Sequence, residues 1–492
     1  MYWIGYDVGS SSIKAALIES SNGSVAGIAQ YPKKEMSIIS EQSGWGEQDP
    51  DLWWKHLCEA TKELIAKTGV EPDRIEGVGI SYQMHGLVLV DKSMQLLRPS
   101  IIWCDSRAVT IGDRIFESVG SDKCMQRLLN SPGNFTLSKL KWVQENEPEV
   151  FDQIHKFMLP GDYIGYKLTE ECLTTPSGLS EAILWDFIAD EPAFWLLDAT
   201  EIDRSLIPEV RPNFSFQGKV TADAAKASGL PEGIPLMYRA GDQPNNALAL
   251  NVLEPGEIAA TGGTSGVVYA LSDQVITHES VRINSFAHVN HTDKLPRIGK
   301  MLCINGTGIQ YSWIRNNLTS GMSYEEMNAR AGEVAVGSDG LRIFPFGNGA
   351  ERMLKNKNPE ASIINLNFNI HKKTHLFRAA LEGIAFSFVY GLEILKADGV
   401  DLSRIKAGND NLFRSQIFSE TIATLTDARI DIVETTGAVG AARAAAYASG
   451  IFKNFSEATQ HDKIQHTYHP LNIDGAYRAA YEDWKSKLTK TL

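Results

Sequence analysis

The chain reads as an α/β protein of two lobes in which the second half repeats the layout of the first. Three observations carry that reading. Apolar, β-branched runs of strand length alternate with longer runs of helical period. The junction Val8-Gly9-Ser10-Ser11-Ser12-Ile13, a small hydroxyl-rich turn between two apolar runs, recurs as Gly262-Gly263-Thr264-Ser265-Gly266-Val267. At 492 residues the chain is also too long for one ordinary core, so two domains are expected.

In chain order, Trp3 to Val8 reads as a buried strand, Gly9 to Ser12 as a turn, and Ile13 to Ile18 as a returning strand. Asn22-Gly23 marks a second hairpin into Val25–Tyr31. Asp49-Pro50 caps and starts a helix through Trp53, Leu57, Ala60 and Leu64. The strand from Ile75 runs out into Gln83-Met84-His85-Gly86, and Trp103-Cys104-Asp105-Ser106-Arg107 follows another apolar run. Polar side chains at strand ends suit a substrate pocket. Taken singly, His85 also reads as a core histidine, and Asp105 with Arg107 as a structural ion pair.

The stretch Leu236 to Pro244 organises the rest. An apolar run ends at Gly241, presents Asp242 and passes into a helix that Pro244 is suited to open. Ligand sites of open α/β sheets gather at such strand-to-helix junctions; a helix-capping aspartate is the competing reading. Pro255-Gly256 breaks the chain between lobes, expected at 1–250 and 251–492. Beyond it, Asn305 to Gln310 turns into a helix, Phe377 to Leu395 is a strong helix, Ala407 to Asn411 is a turn opening another, and Ala438 to Gly450 is a small-residue helix. The tail reads as a polar linker and a last helix with Tyr477, Tyr481 and Trp484.

Composition excludes several classes of partner. A net charge of −13 argues against nucleic acid or an anionic membrane, and no apolar run approaches bilayer length. Cys58, Cys104, Cys124, Cys172 and Cys303 form neither a zinc spacing nor a disulfide framework. With an early Asp7 and no basic segment at the N-terminus, the expectation is a cytoplasmic protein. His371 and His375, and His461, His466 and His469, lack an accompanying carboxylate base and read as surface groups. No Walker A sequence is present.

Taken together, Asp7 to Lys14, Glu47-Gln48-Asp49-Pro50, Gln83 to Gly86, Trp103 to Arg107, Lys139-Leu140-Lys141-Trp142, Leu159-Pro160-Gly161-Asp162, Gly241-Asp242-Gln243, Gly263 to Gly266 and Leu381-Glu382-Gly383 form an ordered series. By that series the chain resembles the FGGY carbohydrate kinases, and within them the bacterial xylulokinases, over essentially its whole length. The resemblance implies an actin-like, ribonuclease-H-like ATPase fold with an internal duplication, sugar held mainly by the first lobe and ATP by the second. It implies ATP- and Mg2+-dependent phosphorylation of D-xylulose, with Asp242 taking the proton of the sugar hydroxyl and Asp7 near magnesium and phosphates. Gln83, Met84, His85, Trp103, Asp105, Asn134 and Gln243 would line the sugar pocket. Ser10, Ser11, Ser12, Lys14, Gly263, Thr264, Ser265, Gly306, Gln310, Gly408, Asn409 and Asn411 would meet the nucleotide.

Three positions depart from the family pattern. Lys406-Ala407 stand where glycines usually open the adenosine turn, Gln243 replaces a common Asn, and Asn134 stands where xylulokinases often have Gly. A kinase for L-ribulose, glycerol or another polyol, and a non-catalytic sugar sensor of the same fold, are the alternatives. Sugar and ATP are the expected partners, without nucleic acid or membrane, and a homodimer is compatible with the resemblance.

Overall fold

The computed structural model describes residues 1–409, 411–472 and 475–492, apart from the side chain of Asn411. The elements that build the site are, in the first half, β1 (Tyr2–Val8), β2 (Ile13–Glu19), β3 (Val25–Tyr31), α1 (Pro50–Thr68), β4 (Ile75–Tyr82), α2 (Thr136–Asn146), α3 (Pro160–Thr169), α4 (Pro176–Glu181), β5 (Leu236–Gly241) and α5 (Asp242–Ala249). In the second half they are β6 (Glu257–Gly262), β7 (Gly266–Ser272), β8 (Asn284–Ala287), β9 (Ile298–Ile304), α6 (Gly308–Leu318), α7 (Lys373–Ala397), β10 (Arg404–Gly408), α8 (Gln416–Thr426), β11 (Arg429–Val433), α9 (Gly437–Ala448), β12 (Ile464–Tyr468) and α10 (Ala476–Thr491).

The first sheet runs β5-β4-β1-β2-β3 and the second β8-β9-β7-β6-β10-β11-β12. With β6 laid on β1, the second order contains the first: β7 matches β2, β9 matches β3, β10 matches β4 and β11 matches β5. The two hairpins correspond in register, Val8 pairing with Ile13 and Gly262 with Gly266. The duplication expected from one short turn therefore extends through both sheets.

β1 is buried on both faces, which accounts for its nearly continuous apolar sequence. One face receives α1, which Asp49 caps by accepting the Asp51 N–H at 3.0 Å and which Gly69 ends in a left-handed conformation. Its Trp53, Leu57 and Leu64 are fully buried, each contributing about 1.5–3 kcal/mol. The other face receives α9, a helix of the second half. α9 is made of small residues because backbone meets backbone there: a Cβ on Gly5 would overlap the Ala438 carbonyl, and one on Gly79 the Ala441 carbonyl. α5 lies alongside, where the Asn245 amide donates to the Gly437 carbonyl at 2.9 Å. Helices that follow the last parallel strand of each sheet thus meet between the lobes.

Two expectations change. The helix after Gly241 starts at Asp242 itself, so Pro244 is its third residue. Within the expected tail linker, β12 adds antiparallel to β11; its polar, mostly exposed Ile464-Gln465-His466-Thr467-Tyr468 gives little apolar alternation to read.

Candidate active site

The parallel strands β1, β4 and β5 bring their C-terminal ends together. β1 and β4 set Asp7 beside Ser81, and β4 and β5 set Gly241 beside Tyr82, so Asp7, Met84-His85 and Asp242 share one edge. Asp242 is the first residue of α5, with Gly241 at the cap position, so it is not a capping aspartate. Burial, and then the neighbouring charge of Asp7, push its carboxyl up to about 7, against the Gln243 N–H and amide. A helix N-terminus ordinarily favours the ionised form; here the loss of water and the second carboxylate outweigh it. Burial also raises Asp7, opposed by Lys14, its cross-strand partner, and by the Ser81 hydroxyl donating at 3.1 Å. The first residue of α9 closes on this acid: a Cβ on Gly437 would lie 2.9 Å from Asp7 Oδ2.

His85 has a left-handed backbone, φ 61°. Its Nδ1 lies 2.9 Å from the Glu181 carbonyl, which only accepts, so Nδ1 carries the proton and Nε2 is left as an acceptor. Burial, and then Lys139, hold this imidazole neutral, down to about 3. The Lys139 ammonium donates to the His85 carbonyl at 2.8 Å and the Ile102 carbonyl at 3.0 Å, and burial brings it down to about 7. Phe135 meets the His85 ring edge-on at 4.7 Å, and Phe286 of β8 stands 5.4 Å from it. β8 is held to the first half by the Ala287 N–H on Ser180 Oγ at 3.0 Å and the Ser285 N–H on Asn130 Oδ1 at 3.0 Å. The second half thereby contributes to the wall around His85.

The other expected pocket residues divide. Met84 is buried against Gly241. Trp103 is 54% exposed and its indole donates to Ser10 Oγ at 3.3 Å, joining the pocket rim to the first hairpin. Gln83 is buried, its amide donating to Gln48 Oε1 at 3.4 Å, with its own Oε1 unpaired among the described residues. The Asn134 amide donates to the Asp105 carbonyl. Asp105 is a correction: its side chain has no exposed surface, and its carboxylate accepts from the Gly46 N–H at 2.7 Å, the Arg107 N–H at 2.9 Å and Arg107 Nε at 2.9 Å. Both carboxylate oxygens are thus held by protein groups rather than open to the pocket.

On the second half, a cavity of about 470 Å³ opens between β6, α6 and the turn before α8. Gly263, Thr264 and Gly308 line it together with Tyr311, Tyr324 and Asn328. Two loops fuse to make this wall: the Gly308 N–H donates to the Gly263 carbonyl and the Ile309 N–H to the Thr264 carbonyl, both at 3.1 Å. Gly306 lies behind them, tied by its N–H to the Glu351 carboxylate at 2.6 Å, which also accepts the Asn305 N–H at 3.0 Å. Burial pushes Glu351 up to about 7. Ser265 is exposed at the hairpin tip, as is Ser11 in the first hairpin, where the Gly9 N–H donates to the Ser12 carbonyl at 3.2 Å.

Three nucleotide expectations shift. Among the described residues the far wall is formed by Leu412, Arg414 and Ser415, not by Gly408 or Asn409; Gly408 ends β10 and the Asn409 N–H is used by the Val433 carbonyl at 3.0 Å. The Asn411 side chain lies outside the described residues. Gln310 lines a separate apolar groove with Trp313, Ile343 and Leu376, one step round α6 from the cavity. Sequence reasoning also passed over Ser81, Glu181, Phe286 and Glu351, which carry no motif. The placing of Lys139 against the His85 carbonyl was equally unreadable, because a backbone acceptor leaves no sequence signal.

Two family models match successive parts of the chain. Residues 2–249 match the model of the FGGY family of carbohydrate kinases, N-terminal domain, and residues 258–449 the C-terminal domain. The chain is 27% identical to the xylulose kinase of Bacillus subtilis over 503 residues, covering 100% of this chain and 97% of that protein. The crystal structure of xylulose kinase from Rhodospirillum rubrum superposes with a TM-score of 0.88 at 26% identity, covering 100% of this chain and 99% of that one. Plasmodium falciparum glycerol kinase with ADP superposes with a TM-score of 0.89 at 19% identity, covering 100% and 98%, a likeness of fold. No helix among the described residues is long and apolar enough to cross a membrane.

Proposed function

The chain belongs to the FGGY family of carbohydrate kinases, with their two-lobed actin-like fold, and from that premise we propose that it phosphorylates D-xylulose at its terminal hydroxyl to D-xylulose 5-phosphate, using ATP. The carrying observation is the shared edge of Asp7, Met84-His85 and Asp242 in the first half, together with a separate cavity of about 470 Å³ on the second half. We assign the sugar mainly to lobe 1–250, with Phe286 contributed by the other lobe, and the nucleotide to lobe 251–492. His85 Nε2 accepts from a sugar hydroxyl, Met84 and Phe286 give the apolar wall, and Asp242 orients the reacting hydroxyl and takes its proton as the O–P bond forms.

Phosphoryl transfer passes through a loose transition state, so positioning and charge stabilisation carry most of the catalysis. Gly263 and Thr264 offer backbone N–H groups at the phosphate end of the cavity. Among the described residues no group of three His, Cys, Asp or Glu could hold a metal by itself. The donor set fits magnesium taking most of its ligands from triphosphate oxygens and water, with the hard oxygens of Asp7 as the protein's contribution; the ion would offset phosphate charge there.

The reading is tested by ADP release with a panel of D-xylulose, L-ribulose, glycerol and gluconate: D-xylulose should give the highest kcat/KM. A higher value for another sugar moves the substrate, and sugar-independent ATP turnover alone removes the kinase reading. Glu351 supplies a second test. Because its carboxylate fixes the Asn305-Gly306 turn behind the cavity wall, Glu351→Ala is expected to raise KM for ATP about 10-fold or more, two lost charge-assisted bonds being worth about 1.5–3 kcal/mol each. KM for the sugar should change little.

A further inference from the structure

Directly behind the Gly241–Asp242 junction lies an acid without a partner. Glu181 ends α4 with 1% of its surface exposed, and among the described residues neither carboxyl oxygen has a hydrogen-bond partner. Its Oε2 lies 2.8 Å from the point a Cβ would occupy on Gly241, against Met84 on the other side. The backbone of the same residue holds His85. Glu181 therefore touches both parts of the sugar site, its carboxyl close to the Tyr82 phenol and the His85 backbone N–H without meeting hydrogen-bond geometry toward either.

The charged and titratable groups packed around it leave it no cation. From β4, the Tyr82 phenol comes close without meeting hydrogen-bond geometry, and from β7 the buried Tyr269 phenol, 3.2 Å from His288 Nδ1, feels the Glu181 charge. From β5, Arg239 is engaged by Asp162 of α3 at 3.2 Å. From α2, the Lys139 ammonium is engaged by two carbonyls; His85 is neutral, and Asp242 of α5 is a second acid. Burial first, and then the charges of Asp242 and Asp162, hold Glu181 well above the usual carboxylate range, against the pull of the Tyr82 phenol and the His85 backbone N–H.

We propose that Glu181 is a positioning residue for Asp242 that limits phosphoryl transfer at alkaline pH: as the neutral acid it adds no charge to the Asp242–Asp7 pair beneath the sugar hydroxyl, and as the carboxylate it sets a further negative charge against that base. Ionisation releases one proton to solvent and makes two carboxylates repel across Gly241, which displaces the first turn of α5. The step affected is transfer, so kcat falls before sugar KM rises. The inference rests on the reading of Asp242 as the base.

The test compares kcat against pH for the full-length enzyme and Glu181→Gln, each profile normalised to its own maximum. The native enzyme should lose about tenfold per pH unit once Glu181 ionises, and at the alkaline end Glu181→Gln should retain about tenfold more of its maximum. Equal alkaline losses would assign that limb to another group, Lys139 first, and overturn the proposal. Melting temperature gives a second readout independent of turnover. An acid raised in the folded state contributes stability below its ordinary pKa, and that contribution is lost as pH rises toward the raised value. Glutamine has no proton to lose, so the melting temperature of Glu181→Gln minus that of the native enzyme should grow from pH 5 to 9. A flat difference overturns the proposal. Failure of the Asp242 reading is separately visible, because it leaves the melting comparison unchanged.

Discussion

Asp242→Asn is expected to lower kcat by about 10²–10⁴-fold, the range for losing a positioned general base, with the sugar Kd held within about threefold. Asparagine keeps the shape and the start of α5 but has no lone pair basic enough to take the hydroxyl proton. Calorimetry on the sugar and a coupled ADP assay separate the two effects; a variant that keeps kcat within tenfold of the native enzyme removes Asp242 from the chemistry. The pH dependence carries the sign of the same idea. Burial and the Asp7 charge bring Asp242 up to about 7, and the ionised form is the base, so kcat/KM for the sugar should climb as pH rises through about 7. With magnesium nucleotide bound, part of the Asp7 charge is offset, Asp242 loses one reason to hold its proton, and the rise in kcat should fall at lower pH than the rise in kcat/KM.

How much of this is legible in the sequence depends on where the information lies. Asp7, Asp242 and the two hairpins were readable because each joins a chemical group to a local backbone event, a strand ending in a small-residue turn or in a helix. Asp105 misled for the same reason: its position at a strand end fits a pocket, but only the fold brings up the Gly46 N–H that, with Arg107, consumes its carboxylate. Glu181 and Phe286 belong to the site through contacts about a hundred residues apart or across the lobes. Nothing at their own positions marks them. Ala438 to Gly450 shows the intermediate case: its small residues announced close packing, while the partner, the sheet of the other lobe, could not be read from the helix itself.

That partner carries the last expectation. Gly5 and Gly79 lie on adjacent strands and both present bare backbone to α9. In Gly79→Val the new side chain suits a strand by propensity, so any loss must come from the helix side, where the Ala441 carbonyl occupies the space and the Ala445 Cβ stands 3.0 Å away. Neither neighbour is a flexible side-chain end, so α9 itself has to move. Overpacking of this kind costs about 1–3 kcal/mol or more, readable as a fall in the urea midpoint. The same displacement carries Gly437 away from Asp7 and loosens the Asn245 bond to the start of α9. Because an error of about 1 Å in a reacting group costs about 10²-fold, kcat should fall by that order although Gly79 touches no ligand. Gly332→Ala is the comparison: nothing stands within 4 Å of its new Cβ, and as the last residue of the helix Tyr324–Gly332 it should leave both the midpoint and kcat nearly unchanged. If Gly79→Val keeps both its midpoint and its turnover, the helix shared between the lobes does not hold Asp7 in place.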